Sequence, residues 1–426
     1  MFFNHLKPYL NRKIVIIFLL GISSGFPLAL CFGTLTAWLT EVGIKKETIG
    51  LFGALTFPYA LKFLWSPFFD AIKIPVLTKF FGKRRAWIIT TQILLVIAIF
   101  ALGHTLPEAN AYYTALFAFI VSFIAASQDI NIDAYRVELL AKEEYGAGSA
   151  AAVFGYRIGM LISGAGALYI ADMGYSWHTV YYMMSLVALL GMAAAFFGQV
   201  PEVEKTPQPV DGHFRRSVIE PFKDFTQRNG WLIFLFIIIL YKLPDAMLGS
   251  LANNFYLEIG FTKSQIASVS KVFGLVATLL GSFIGGIIVT RYGLFRALII
   301  GCAAQGLTVM FFSLQALKGN DIYFLIATIG FENLGSGIGD ICLIVFISNL
   351  CNKQFTATQF ALLSSLSALG RTFLRTPSGF IAASTGWFWF FVISAATAIP
   401  GLIVIYLARR QIRQLTASLA QPKKLL

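Results

Sequence analysis

The chain has 426 residues, of which 57% are hydrophobic and only 12% charged, and its net charge is +13. An average soluble domain carries about 25% charged residues, so the composition excludes an ordinary soluble protein.

Apolar stretches of about 20 residues, enough for a helix to cross a hydrocarbon core about 30 Å thick, recur twelve times. The first covers residues 14–38 and is too long for the apolar core of a cleavable signal peptide, so it reads as a retained span. It contains Gly21-Ile22-Ser23-Ser24-Gly25, which matches the nucleophile-elbow pattern of hydrolases. That elbow needs a strand-to-helix turn; inside an apolar helix the match is accidental, and Gly25 and Pro27 instead predict a kink or a thin helix face. Further spans are expected at 49–69, 87–104, 112–135, 147–170 and 178–199. The long polar interval 200–230 holds four prolines, and a second set follows at 231–256, 265–290, 297–317, 322–350, 359–383 and 387–408. The expected organisation is an all-α integral membrane protein, with one six-helix bundle at 1–199, a linker at 200–230, a second bundle at 231–408 and a tail at 409–426.

With these spans, the segments on the side of the N-terminus hold 23 Lys and Arg, and the opposite loops hold four, Lys45, Lys46, Lys263 and Lys318. The positive-inside rule then places both termini in the cytoplasm. The basic charge needs no nucleic-acid partner, although the inner face suits anionic lipids. Cys31, Cys302, Cys342 and Cys351 lack metal-ligand spacing, and no metal or cofactor is expected. No P-loop occurs. Small-residue spacings at Gly155/Gly159/Ser163, Gly281/Gly285 and Gly335/Gly339 predict close helix packing. Within the linker, residues 214–228 have the pattern of an amphipathic interfacial helix.

Eleven ionisable residues fall inside the expected spans: Lys62, Asp129, Asp133, Arg157, Lys242, Asp245, Lys271, Glu332, Asp340, Arg371 and Arg375. Each costs about 3 kcal/mol or more facing lipid at the membrane centre, so they must face one another or water. Lys271 and Asp340 are expected to fix helices through ion pairs or to snorkel near helix ends. Lys62, Arg157, Lys242 and Arg371 are candidates to hold an anionic or hydrogen-bonding substrate, and Tyr59, Trp65, Tyr156 and Tyr241 to present aromatic faces to sugar rings. Asp129 and Asp133 are four apart and share a helical face, with Arg136 one turn on. Together with Asp245 and Glu332 they are candidates for proton coupling, because burial and a nearby cation act on a carboxyl in opposite directions. An integral membrane transferase is the reading from another class. His5, His104, His178 and His213 are too scattered to serve it.

Asp70 at the end of the second span, followed by Gly82-Lys83-Arg84-Arg85, resembles the loop signature of the major facilitator superfamily. Within it, several stretches resemble the AmpG muropeptide permeases: Gly25-Phe26-Pro27-Leu28-Ala29-Leu30, Lys62-Phe63-Leu64-Trp65-Ser66-Pro67, Ala126-Ser127-Gln128-Asp129-Ile130 and Gly155-Tyr156-Arg157. Later matches are Leu240-Tyr241-Lys242-Leu243, Phe331-Glu332-Asn333-Leu334 and Leu350-Cys351-Asn352-Lys353. The resemblance implies a monomeric importer of anhydromuropeptides (GlcNAc-anhydroMurNAc and its peptides) across the bacterial inner membrane. It implies proton symport by alternating access, in the service of peptidoglycan recycling. The family's acidic pair falls on Asp129 and Asp133, and its polar neighbour, a candidate substrate contact, on Gln128. Residues 335–340 and 371–377 depart from the family pattern, which leaves a divergent paralogue carrying another anionic metabolite, such as a coenzyme A thioester, as the alternative.

Overall fold

The computed structural model describes residues 11–202 and 214–417. Among them the regular structure is helical. Among the described residues, nine helices are long and apolar enough to cross a membrane. The chain opens with α1 (Arg12–Glu41) and a broken second pass, α2 (46–71). Then come α3 (Lys83–Gly103), α4 (Ala111–Leu139), α5 (Lys142–Asp172) and α6 (Trp177–Phe197). After the linker helix (Phe214–Thr226) follow α7 (Trp231–Glu258), the 55-residue segment Ser264–Lys318, α10 (Ile322–Leu350) and α11 (Thr356–Arg375). The last pass leads into a C-terminal helix, Arg409–Ala417.

Nine long helices are compatible with twelve expected spans for identifiable reasons. Ser264–Lys318 is two passes, α8 (264–292) and α9 (294–318), divided at Gly293, whose φ of 76° is accessible to glycine. Gly281 and Gly285 of α8 meet Leu334 and Ile338 of α10, rising together, whereas Gly335 and Gly339 of α10 meet Thr308 and Gln305 of α9 in descending order. The two passes are therefore antiparallel. Gly386, at φ 75°, likewise separates the end of the eleventh pass from α12 (387–407). Pro58 and Pro67 lie in α2, which breaks into short α and 3-10 turns, as proline's missing N–H requires. Pass α11, with Ser364, Ser367 and Arg371, is too polar to qualify on hydropathy.

Helix starts follow side-chain capping. Asn11, Asn110, Ser176 and Asp321 accept from the backbone N–H groups of Lys13, Tyr113, Thr179 and Phe324, satisfying donors the first turn leaves free. The expected small-residue packing is present. At the α1–α5 crossing, Gly25 faces the Tyr156 carbonyl, and Gly155 and Gly159 face those of Phe18 and Ile22. At the α8–α10 crossing, Gly281 faces the Leu334 carbonyl. Each contact is so close that a Cβ would overlap the partner's backbone. Gly155→Val is expected to cost about 1–3 kcal/mol through overpacking, read as a lower melting temperature of purified protein, whereas Gly33→Val, in open space, should not.

Both ends of the described chain lie on one face, called here the terminal face. There Arg12 donates to the Phe197 carbonyl at 3.1 Å and Lys142 to that of Leu415 at 2.9 Å. Toward this face a single apolar cluster runs from Ile14 and Tyr145 through Phe234 and Phe346 to Ile412. Toward the opposite face it gives way to two separate clusters, one built from residues 26–188 and one from 247–395. The two parts of the chain are packed together at the terminal face and diverge away from it.

Candidate functional site

Between the diverging parts lies a cavity of about 390 Å³ whose walls carry Lys62, Asp129, Asp133, Tyr156 and Arg157 from one side and Lys242, Asp340 and Arg371 from the other. Its size falls at the lower end of small-ligand sites, which span about 300–1,000 Å³. The i, i+4 spacing of Asp129 and Asp133 brings both onto the cavity face of α4. Their surroundings differ. Asp133 is anchored, with Lys62 Nζ at 3.7 Å and Arg136 Nη2 at 3.1 Å. Arg136 in turn donates to Ser149 at 2.6 Å and lies over the Phe360 ring. Asp129 accepts from the Ser24 hydroxyl at 2.5 Å and has no ion pair within 4 Å among the described residues.

Across the cavity, Lys242 is buried, and its ammonium bridges Asp245 at 2.8 Å and Asp340 at 2.9 Å, with Ser336 at 3.3 Å. A buried ammonium demands such compensation. Arg157 and Arg371 occupy similar places in α5 and α11 and reach the same cavity. Arg157 makes no ion pair or hydrogen bond among the described residues. A second cavity, about 320 Å³, has Arg157 in its wall together with Tyr256, Ser270, Thr278, Glu332 and Asn333. Glu332 therefore faces this second space and not the first.

Three expected contacts are placed elsewhere. Gln128 is buried among α1, α3 and α4, where its amide donates to Ser23 at 2.7 Å and to Gln92 at 2.6 Å. It locks helices together and does not reach the cavity. Tyr241 is fully buried, beside Gly301 and Cys342, at a break in the helix after which the next residue, Lys242, faces the cavity. Trp65 packs at a tilt against Phe123, ring centroids 4.7 Å apart, and donates to Ser127 at 3.0 Å. Tyr59 stays close to Asp129 and Tyr156, with its hydroxyl buried and unpartnered. Asp340 makes the expected ion pair between helices, with Lys242, and is a cavity wall residue as well, joined there by Ser24, Ser364 and Ser367. The side chains of Lys271 and Arg375 lie outside the described residues, as do linker positions 203–213 and tail positions 418–426. Ser23 and Ser24 of the Gly-x-Ser-x-Gly match sit mid-helix, so no elbow forms.

At the terminal face the cavity is sealed by polar contacts that cross between the two parts. Asp70, in the last turn of α2, accepts from the backbone N–H of Ala357 at 3.3 Å and of Thr358 at 2.8 Å, and from the Thr358 hydroxyl at 2.7 Å. It thereby caps the N-terminus of α11, where the helix dipole favours an anion. Arg84 holds Asp70 at 2.5 Å and Glu138 of α4 at 2.7 Å. The Lys353 ammonium donates to the Glu138 and Leu140 carbonyls. Asp224 of the linker helix accepts from Asn352 at 3.0 Å and from Gln359 at 2.8 Å, holding the same end of α11 from its other side. At the opposite face, Trp177 donates to Glu41, Trp387 to Glu258 and Asn320 to the Gly260 carbonyl, each within its own part. The cavity is closed toward the termini.

Burial pushes the Asp70 carboxyl up, but the charges of Arg84 and Lys83 and the hydrogen bonds of Arg84 and Thr358 bring it below the usual carboxylate range. A carboxyl lowered on closure contributes fully above its ordinary pKa and loses that contribution only as pH falls through the lowered value. Asp70's own contribution to the seal is thus unchanged across the neutral range. Asp70→Asn is expected to loosen the seal across the neutral range, measured as a loss of cross-linking between cysteines placed at the ends of α2 and α11.

The chain matches the family model described as Major Facilitator Superfamily over residues 17–371 and 236–424. It is 40% identical over 408 residues to the anhydromuropeptide permease of Escherichia coli, covering 96% of this chain and 82% of that protein. It is 37% identical over 404 residues to transporter AmpG 4 of Rickettsia conorii, covering 94% and 97% respectively. Among solved structures, it resembles a proton:xylose symporter of the superfamily bound to 6-bromo-6-deoxy-D-glucose, with a TM-score of 0.66 at 13% identity, covering 95% and 96% of the two chains. It resembles the human organic anion transporter MFSD10 with a TM-score of 0.66 at 15% identity, covering 92% and 99%. At these identities the structural likeness concerns the fold.

Proposed function

The chain belongs to the major facilitator superfamily and, within it, to the AmpG muropeptide permeases, and we propose that it imports anhydromuropeptides across the bacterial inner membrane by proton symport. It is a multi-pass membrane transporter of muropeptides rather than an enzyme. Proton coupling, the inner membrane and cytoplasmic termini are the proposed refinements. The observation that supports proton coupling is one cavity, between two packed parts of the chain, holding the Asp129 carboxylate and the Arg157 and Arg371 guanidinium groups, none of them in an ion pair among the described residues.

In this reading the two six-helix bundles rock about the cavity, and the sealed terminal face is the cytoplasmic one, so the state described opens outward. Lys62, Arg157, Lys242 and Arg371 supply positive charge to carboxylates of the cargo. Tyr156 offers a ring face and a hydroxyl to its sugars. A carboxylate that loses its proton when a cation approaches links cargo movement to the gradient.

The test is uptake of labelled GlcNAc-anhydroMurNAc-peptide into vesicles containing the protein. The expected result is accumulation that a protonophore abolishes while exchange across the membrane continues. Accumulation indifferent to the protonophore sinks the coupling, and absence of both uptake and exchange sinks the cargo.

A further inference from the structure

Arg157 stands in the wall of both cavities. In the second it is the basic member, without an ion pair or hydrogen bond among the described residues, and the opposing charge is Glu332. Glu332 accepts from Asn333 Nδ2 at 2.7 Å, and Asn333 Oδ1 accepts in turn from the Thr278 hydroxyl at 2.8 Å. This chain of donors fixes the carboxylate's direction, yet no basic group lies within 4 Å of it among the described residues. Asp245, itself tied to Lys242, shares a side-chain hydrogen bond with Glu332. The space thus has an acidic wall, Glu332 hydrogen-bonded to Asp245, and a basic wall, Arg157, with no ion pair joining the two among the described residues. Unpaired charges in a low-dielectric setting are costly unless something compensates them.

We propose that this second cavity is a subsite for a zwitterionic group, receiving an ammonium at Glu332 and a carboxylate at Arg157. The inference rests on the muropeptide reading above and assigns the peptide part of the cargo to this space, leaving the sugars in the first cavity. Along α10, Glu332 is eight residues from Asp340, about 12 Å at helical rise, and Arg157 lies where the two spaces meet. A disaccharide bearing a short peptide spans such a distance, with its free amino acid end in the second cavity. Tyr256, Leu248 and Phe312 supply the apolar part of the wall.

Gly249 offers a steric test, because it lines this cavity and a Cβ there meets nothing within 4 Å. Gly249→Leu fills the space without disturbing backbone, and Glu332→Gln removes the charge while keeping the shape. Binding of GlcNAc-anhydroMurNAc and of the same disaccharide carrying a tripeptide with a free terminal ammonium and carboxylate is measured calorimetrically on full-length protein in nanodiscs. The native chain is expected to bind the peptide form about tenfold more tightly, the worth of one charge-assisted contact, and each variant to bring that ratio close to one. Equal binding of the two cargoes by the native chain, or a native ratio retained by either variant, overturns the subsite. If the native chain binds neither cargo, the muropeptide reading itself fails and the subsite falls with it.

Discussion

Asp129→Asn is expected to abolish concentrative uptake while leaving exchange of cargo within a few-fold of native. Of the two aspartates on the cavity face of α4, only Asp133 is committed, since Lys62 and Arg136 both hold it. Protonating Asp133 would break two ion pairs. Asp129, held by the Ser24 hydroxyl, can take up and release a proton with no such loss and is the better carrier. One charge moving through 100 mV yields about 2.3 kcal/mol, enough for roughly a 50-fold gradient. Asparagine keeps the hydrogen bond to Ser24 and cannot ionise, so the gradient should disappear without loss of the binding cavity. Asp133→Asn should behave differently, lowering exchange as well as accumulation because it releases Lys62 and Arg136 into the cavity. Both quantities are read in one vesicle experiment. Normal accumulation by Asp129→Asn removes it as the carrier.

That assignment was only half legible in the sequence. The i, i+4 spacing was sufficient to place Asp129 and Asp133 on one face, because a helix leaves no freedom in that matter. Which of them is neutralised depends on Lys62, in the broken second pass, and no periodicity reveals the angle at which a segment of short α and 3-10 turns presents its side chains. The same geometry explains the misplaced candidates. Successive residues on a helix diverge by about 100°, so a motif read as a block cannot all face one way. Asp129 and, at a break in its helix, Lys242 reach the cavity; their neighbours Gln128 and Tyr241 turn into helix packing. The cost of leaving a charge in lipid identified the membrane-buried ionisable residues as a set, but the pairing of Lys242 with Asp340 joins helices 98 positions apart in the sequence and arises only from the bundle. For the same reason, the continuous hydropathy of residues 264–318 hid a chain reversal that one glycine dihedral at position 293 makes plain.

Lys242→Met is expected to destabilise the protein as well as silence it, and the two effects are separable. Lys242 is buried at 1% side-chain exposure, whereas its partners Asp245 and Asp340 are 24% and 29% exposed. Removing one partner of a buried pair costs about 3–5 kcal/mol. The low end applies here, because water reaches both carboxylates and screens them. The purified variant should therefore melt at a clearly lower temperature than the native chain. Neutralising the acids in the same molecule, as Lys242→Met with Asp245→Asn and Asp340→Asn, removes the uncompensated charges and should restore most of the melting temperature, since a buried ion pair often does no better than neutral packing. If Lys242 serves only to hold α7 against α10, transport returns with stability. If it also meets the cargo's carboxylate, the repaired protein folds and does not transport. The second outcome is expected, because a cation bridging two cavity acids can be drawn from them by an arriving anion, and a neutral replacement cannot.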